Sequence, residues 1–232
     1  MTTHVALLGH PVAHSLSPRM QNSAFAATRL DWHYSAFDVV DPVEAVHALR
    51  ALGFAGANVT IPHKQAVIPA CDETDGEAVN TLIFGDRVIG VNTDREILAG
   101  IRAARACLIG AGGAALTLAP ALPADTRTFS RSGEWPPDCS GCDLIVNATP
   151  VRDELLVEPR AGQIVVDLAY SADGAETALV AAARAAGCEV IDGLEALVRQ
   201  GARSFELWTG VAAPVDTMRS AVRTAGHPPG TD

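Results

Sequence analysis

Apolar and polar positions follow a strand–helix rhythm along the chain. His4-Val5-Ala6-Leu7-Leu8-Gly9 is a nearly continuous apolar run that stops at a glycine, which predicts a buried strand. Ser17-Pro18 predicts a helix start, with Ser17 as N-cap and the proline in the first turn. Met20, Ala24, Phe25 and Ala27 share one face of that helix. Residues 32–40 predict a second strand. Asp41-Pro42 opens a second helix, through residue 52 and closed by Gly53. Residues 56–61 predict a third strand, stopped by Pro62, and residues 78–84 and 88–91 a hairpin.

A second series begins at Cys107-Leu108-Ile109. A glycine-rich turn follows, then a helix that Pro120 cuts short, then a strand over residues 126–130. Residues 143–148 and 163–168 each carry a nearly continuous apolar run, as strands of a parallel sheet covered on both faces should. A helix over 176–186, a strand over 188–191, and helices over 193–208 and 214–224 complete the pattern; residues 132–141 form a loop. The fold class is α/β with two domains, divided near residue 97.

Composition narrows the function. The 232 residues are 48% hydrophobic and 19% charged, enough apolar material for packed cores and too little charge for a disordered chain. No segment is long and apolar enough to span a bilayer, and no basic stretch precedes an apolar one at the N-terminus, so a cytoplasmic location is expected. A net charge of -10 with no basic stripe argues against nucleic acid as a partner. Five cysteines, an odd count, do not suggest a disulfide framework. Cys139-x-x-Cys142 lacks the second pair a structural zinc would need, so a plain loop is expected there and no metal.

One count points to chemistry. Of the 17 basic residues, 16 are arginine, and the only lysine is Lys64. Arginine keeps its proton at any usable pH, whereas a lysine can release one when its surroundings lower its pKa. Lys64 is therefore the one amine side chain able to take part in proton transfer. It stands just past the strand carrying Asn58 and Thr60, which alternate onto one face. Val91-Asn92-Thr93-Asp94 follows another strand, where Asp94 could also be only an N-cap. Ser15 and Ser17 put two hydroxyls at a helix N-terminus, a cradle suited to a carboxylate. Gly110-Ala111-Gly112-Gly113-Ala114-Ala115 follows a strand and opens a helix, the context in which G-x-G-x-x-G/A binds a dinucleotide. About 20 residues on, Ser130-Arg131-Ser132 offers an arginine where an NAD site would carry an acid, which favours the 2′-phosphate of NADP, although Glu134 is close by.

These segments together resemble the shikimate dehydrogenase family. The resemblance rests on Gly9-His10-Pro11-Val12-Ala13-His14-Ser15-Leu16-Ser17-Pro18 ending at Asn22, on Asn58-Val59-Thr60-Ile61-Pro62-His63-Lys64, and on Ala78-Val79-Asn80-Thr81. It continues through Asn92-Thr93-Asp94, the Gly110 segment, Asn147-Ala148-Thr149-Pro150, and Ile191-Asp192-Gly193-Leu194 to Gln200-Gly201-Ala202 and Trp208-Thr209-Gly210. It implies a substrate-binding α/β domain over 1–97, completed by a C-terminal helix over 204–227, and a Rossmann-like dinucleotide-binding domain over 98–203.

The resemblance also implies roles. Lys64 and Asp94 would be the catalytic pair. Ser15 and Ser17 would hold the substrate carboxylate, Tyr170 would stand near it, and Asn58, Thr60, Asn80 and Gln200 would bind ring hydroxyls. Gly110, Ala111, Gly112, Gly113, Ala114, Ser130, Arg131, Ser132, Thr149, Leu168 and Gly193 would contact NADP. The implied reaction reduces 3-dehydroshikimate to shikimate, in the pathway to aromatic amino acids, by a monomer or homodimer. The chain departs from the family pattern after Asp94 and Val151, where Arg95 and Arg152 replace glycine, and after Tyr170, where Ser171-Ala172 replaces Asn-Pro. The stretch from Asp94 to Gly110 is also shorter than usual. A paralogue acting on quinate or an aminated shikimate, and a shikimate-binding relative with a weakened or lost cofactor site, are the alternatives.

Overall fold

The computed structural model describes residues 1–171 and 173–224. The chain forms two compact units: Met1–Glu96 with Val198–Thr224, and Ile97–Leu197. The second division falls inside a helix, several residues before the expected boundary at 203.

The first unit contains β1 (Thr3–Gly9), α1 (Ser17–Thr28), β2 (Trp32–Asp38), α2 (Pro42–Ala51), β3 (Gly56–Val59), a two-residue β4 (Glu73–Thr74), β5 (Thr81–Phe84) and β6 (Val88–Val91). Its sheet runs β2-β1-β3-β5-β6-β4. β1 pairs in parallel with both β2 and β3, while β5 runs antiparallel to β3 and β6. On one face Ala6, Leu8, Ala57, Val59 and Leu82 pack against Val46 and Leu49 of α2. The α2 start is capped as its sequence predicts: the Asp41 carboxylate accepts the Val43 and Glu44 N–H groups at 2.9 and 3.1 Å.

α1 starts differently. Ser17 lies inside the helix, and Leu16 occupies the cap position without a side-chain bond. The Ser15 hydroxyl takes the capping part, accepting the Ser17 N–H at 3.2 Å. A tight turn, in which the Ser15 N–H meets the Val12 carbonyl at 3.0 Å, moves the cap two residues upstream.

The second unit contains β7 (Arg105–Ile109), α3 (Gly113–Leu118), β8 (Asp125–Phe129), β9 (Leu144–Asn147), β10 (Ile164–Asp167), α4 (Ala178–Ala185) and β11 (Glu189–Ile191). All its strands are parallel, in the order β11-β10-β9-β7-β8. α3 is short and passes into a 3-10 turn, Ala119–Ala121, around Pro120. Cys107 on β7 and Cys142 just before β9 are joined as a disulfide, Cα–Cα 6.1 Å. The odd cysteine count did not anticipate this, because the parallel β7–β9 ladder, not sequence spacing, brings the two together.

α5 (Gly193–Thr209) and α6 (Val215–Arg223) follow. They match the two helices read from the pattern over 193–208 and 214–224, so the C-terminal helix over 204–227 that the resemblance implies is the end of α5 followed by α6, and residues 225–227 lie outside the described residues. No helix among the described residues is long and apolar enough to cross a membrane.

The end of α5 lies tight on the first sheet. Trp208 Nε1 donates to the Leu82 carbonyl at 2.9 Å, and a Cβ at Gly56 would come within 2.4 Å of both atoms. Gly56→Ala is therefore expected to destabilise the protein by about 1–3 kcal/mol. The check is a lower urea midpoint with an unchanged slope.

Candidate active site

In an open α/β sheet, ligands sit beyond the carboxyl ends of the strands where the strand order reverses. In the first unit the reversal lies between β1 and β3. The segment after β1 carries Ser15 and Ser17, and the segment after β3 carries Thr60 and Lys64. The antiparallel β5 begins at this same edge, since Asn58 is in register with Thr81. β6 ends there, because Thr81 is in register with Val91. Four separate segments thus deliver polar side chains to one rim.

At the centre, Lys64 Nζ donates to Asp94 Oδ2 at 2.5 Å, with both residues buried. Asp94 Oδ1 accepts from Asn80 Nδ2 at 2.7 Å, and the Asp94 N–H donates to Asn92 Oδ1 at 3.1 Å. Asn80 Nδ2 also reaches Gln200 Oε1 at 3.4 Å, while Asn80 Oδ1 accepts the Thr93 N–H at 2.8 Å. Asp94 is therefore no mere N-cap: its carboxylate is the hub of the cluster.

Asn58 lies beneath. Its Nδ2 donates to the Asn80 carbonyl, Thr81 Oγ1 and Ser204 Oγ, each at 3.0 Å, and its Oδ1 accepts the Tyr34 hydroxyl at 2.8 Å. Both amide hydrogens are committed inside the protein. Thr81 and Ser204 share a hydrogen bond of 2.8 Å, and Thr81 and Thr93 one of 3.1 Å. Thr81 and Thr93 stood in the segments that marked the site; Tyr34 and Ser204 carried no local signal. Thr60 is half-buried, with its N–H on the Leu8 carbonyl at 2.9 Å. Ser17 is buried and Ser15 half-buried. On the rim nearby, His10 Nδ1 lies 2.5 Å from Asp38 Oδ1, and this hydrogen bond holds the Asp38 carboxyl below its ordinary range.

In the second unit the reversal lies between β7 and β9. Gly110 follows β7 with φ +118°, which strongly favours glycine, and a Cβ there would sit 3.1 Å from the Ala148 carbonyl. At the exposed Gly112 a Cβ would meet no atom within 4 Å, so the turn is open for a ligand to approach the backbone. Ala111 is also exposed, and Gly113 and Ala114 are half-buried. After β9, the Thr149 hydroxyl and N–H donate to Asn147 Oδ1 at 2.7 and 3.0 Å. The Leu168 N–H meets the Asn147 carbonyl at 2.9 Å. Gly193 packs so close to Ala169 that a Cβ would come within 2.4 Å of its carbonyl oxygen, with Tyr170 alongside. Ser130 and Ser132 share a hydroxyl contact of 3.2 Å. Arg131 is exposed, over the Trp135 ring at 5.8 Å and 3.6 Å from the Glu154 carboxylate. Glu134 is taken by Arg127 at 2.7 Å, so the acid beside Arg131 is Glu154.

Cys139 is a buried free thiol, pushed up to about 12 mainly by burial. Among the described residues there is no group of three or more His, Cys, Asp or Glu able to hold a metal ion.

A Rossmann-like unit with an open glycine turn, together with an α/β unit that buries a Lys–Asp pair at its strand reversal, is the architecture that suits a two-domain α/β oxidoreductase of the dinucleotide-dependent kind. Comparison with known proteins narrows it. The family model of the shikimate dehydrogenase substrate binding domain matches residues 7–82, and that of the shikimate 5'-dehydrogenase C-terminal domain residues 193–223. A shikimate dehydrogenase (NADP(+)) of Moorella thermoacetica is 41% identical over 95% of this chain and 92% of its own. That of Methanopyrus kandleri is 37% identical over 95% of each. The crystal structure of shikimate 5-dehydrogenase from Thermus thermophilus in complex with shikimate superposes with TM-score 0.85 at 31% identity, covering 97% of this chain and 99% of that one. The chain belongs to the shikimate dehydrogenase family.

One buried carboxylate gives a pH signature. Asp167, fully buried, accepts from Asn147 Nδ2 at 2.9 Å, the Ala169 N–H at 3.1 Å and the Thr177 hydroxyl at 2.5 Å. Burial nevertheless raises its pKa above the ordinary 3.8. A raised folded-state pKa means the folded protein binds the extra proton, so this contribution to stability is present at low pH and lost as pH rises through the folded value. Asp167→Asn removes the titration. Stability of parent and variant, measured by urea unfolding from pH 4 upward, should diverge in the variant's favour as pH rises. Parallel pH profiles would contradict it.

Proposed function

We propose that the protein is an NADP-dependent shikimate dehydrogenase that interconverts 3-dehydroshikimate and shikimate. The buried Lys64–Asp94 pair at the strand reversal is the observation that carries this reading. The names of the curated relatives support shikimate over quinate or an aminated analogue. A protein that only bound its ligand would have no need of a buried lysine aligned by a carboxylate.

Reduction of a ketone builds negative charge on its oxygen. Lys64 Nζ meets that charge and gives up a proton to the oxygen, then recovers one from solvent. Asp94, fixed by Asn80, orients the amine and shares the same hydroxyl. Ser15 and Ser17 hold the substrate carboxylate at the start of α1. Thr60, Asn80 and Gln200 face the ring hydroxyls. Asn58 supports that group through Asn80, Thr81 and Ser204, with a lone pair of Oδ1 left to offer. Tyr170 belongs to the carboxylate end of the substrate.

NADPH, when bound, supplies the hydride. The open turn at Gly112 and the glycine conformation at Gly110 suit a pyrophosphate. Residues 110–114, Thr149, Leu168 and Gly193 would line the dinucleotide, and Ser130, Arg131 and Ser132 its 2′-phosphate. The enzyme assignment is tested by following nicotinamide absorbance with shikimate and NADP or NAD in turn; no turnover with either would reject it.

Lys64→Ala should lower kcat by roughly 10²- to 10⁴-fold while shikimate still binds, because the amine meets a charge that exists only in the transition state. Lys64→Arg should restore little, since arginine holds its proton. Steady-state kinetics with a binding titration check both; near-parental turnover in the arginine variant would remove Lys64 from proton transfer.

Cofactor preference should be modest. One charge-assisted contact is worth about 1.5–3 kcal/mol, roughly 10- to 150-fold in affinity, and Arg131 is shared with Glu154. Arg131→Ala should bring NADP and NAD to similar affinity without altering shikimate binding. Fluorescence titration of both cofactors against parent and variant measures it, and a parent that binds the two equally would contradict it.

A further inference from the structure

The turn that carries Asp94 is gripped from outside by a closed ring of hydrogen bonds. Asp75 Oδ1 accepts the Asn92 N–H at 2.8 Å. Arg95 Nε donates to the Asn92 carbonyl at 2.8 Å. Arg95 Nη2 then returns to Asp75 Oδ2 at 2.5 Å. One carboxylate and one guanidinium thus hold both backbone polar groups of a single residue. Asp75 is itself tied to the sheet: its N–H donates to the Gly90 carbonyl at 3.2 Å, next to the Thr74–Gly90 pairing of β4 and β6.

The grip passes inward through Asn92. Its side-chain oxygen accepts the Asp94 N–H at 3.1 Å, and the Asp94 carboxylate meets Lys64 and Asn80. The planar guanidinium suits the task, since its rigid fork addresses a carbonyl and a carboxylate at once. An exposed ion pair contributes little to global stability. A pair that clamps a backbone has a different effect: it sets the position of what that backbone carries.

We propose that Arg95 and Asp75 are positioning residues that lock Asn92 and thereby set where the Asp94 carboxylate meets Lys64. The catalytic half of this inference rests on the reading of Asp94 as the partner of Lys64 in turnover; the mechanical half does not.

Arg95→Ala, Asp75→Asn and the double variant of the full chain test both. Amide hydrogen exchange at residues 92–94 should quicken by roughly tenfold in each single variant, because a local opening has become easier. Shikimate oxidation should lose about tenfold in kcat with KM near the parent value, as small misplacements of a catalytic group cost rate more than binding. The double variant should be no worse than the poorer single one, since either change opens the ring. Parental exchange at 92–94 would overturn the lock. Faster exchange with parental kcat would overturn the positioning role. A parent that does not oxidise shikimate at all would overturn the catalytic half together with the reading of Asp94, while the exchange rates would still decide for or against the lock.

Discussion

A lysine and an aspartate taken out of water together must satisfy each other and everything near them. Desolvation costs each ion about several kcal/mol, and the pair is tolerable only when its remaining hydrogen-bonding capacity is filled. Asp94 meets that condition, taking Lys64 on one carboxylate oxygen and Asn80 on the other, and Asn80 is held in turn by Thr93. Beneath them the carbonyl of Asn80, with Thr81 and Ser204, occupies Asn58. The register of β3, β5 and β6 serves this arrangement. A one-residue slip in the Asn58–Thr81 pairing would turn these side chains to the opposite face and leave a charge unpaired.

The same dependence explains the fixed outer parts of the first unit. The short β4 has little core of its own, yet it supplies the stretch that leads to Asp75 and the backbone of Asn92. Trp208 seals the far end of β3 and β5, where Gly56 has no room for a side chain. Tyr34 reaches from β2 to Asn58, so even the edge strand is tied to the central pair.

The second unit handles charge in the opposite way. The residues proposed to meet the dinucleotide are backbone groups and exposed side chains. Gly110 turns the chain, Gly112 stays open, and Arg131 stands in solvent between Trp135 and Glu154. Exposed charges are screened and individually weak. The buried element here is Asp167, which holds Asn147 and through it Thr149 at the carboxyl end of β9. Neutral hydroxyls can be gripped by buried groups, whereas the phosphate proposed to bind at Arg131 would be met at the surface, where its charge need not be fully desolvated.

Much of this was legible in the amino-acid sequence. Apolar runs bounded by glycine and proline located the long strands, because burial on both faces leaves a continuous signature. Asp41-Pro42 announced its helix, since capping is a local interaction. Lys64 stood out as the one lysine in the chain, and the polar segments after β1, β3 and β6 carried the family resemblance. Local pattern did not reach what depends on chain-distant atoms. The role of Ser15 as cap depended on a turn back to Val12. Cys107 and Cys142 met because two strands lie side by side, although the two residues are 35 apart in sequence. The pairing of Arg127 with Glu134, which left Glu154 beside Arg131, was set by the course of the loop after β8. Tyr34 and Ser204 joined the central network only through the sheet and α5. Sequence determined which residues could do the chemistry, because side-chain type and local periodicity are written one residue at a time. Tertiary structure decided which of them share a hydrogen bond, because a contact is a property of two segments and of the packing that holds both.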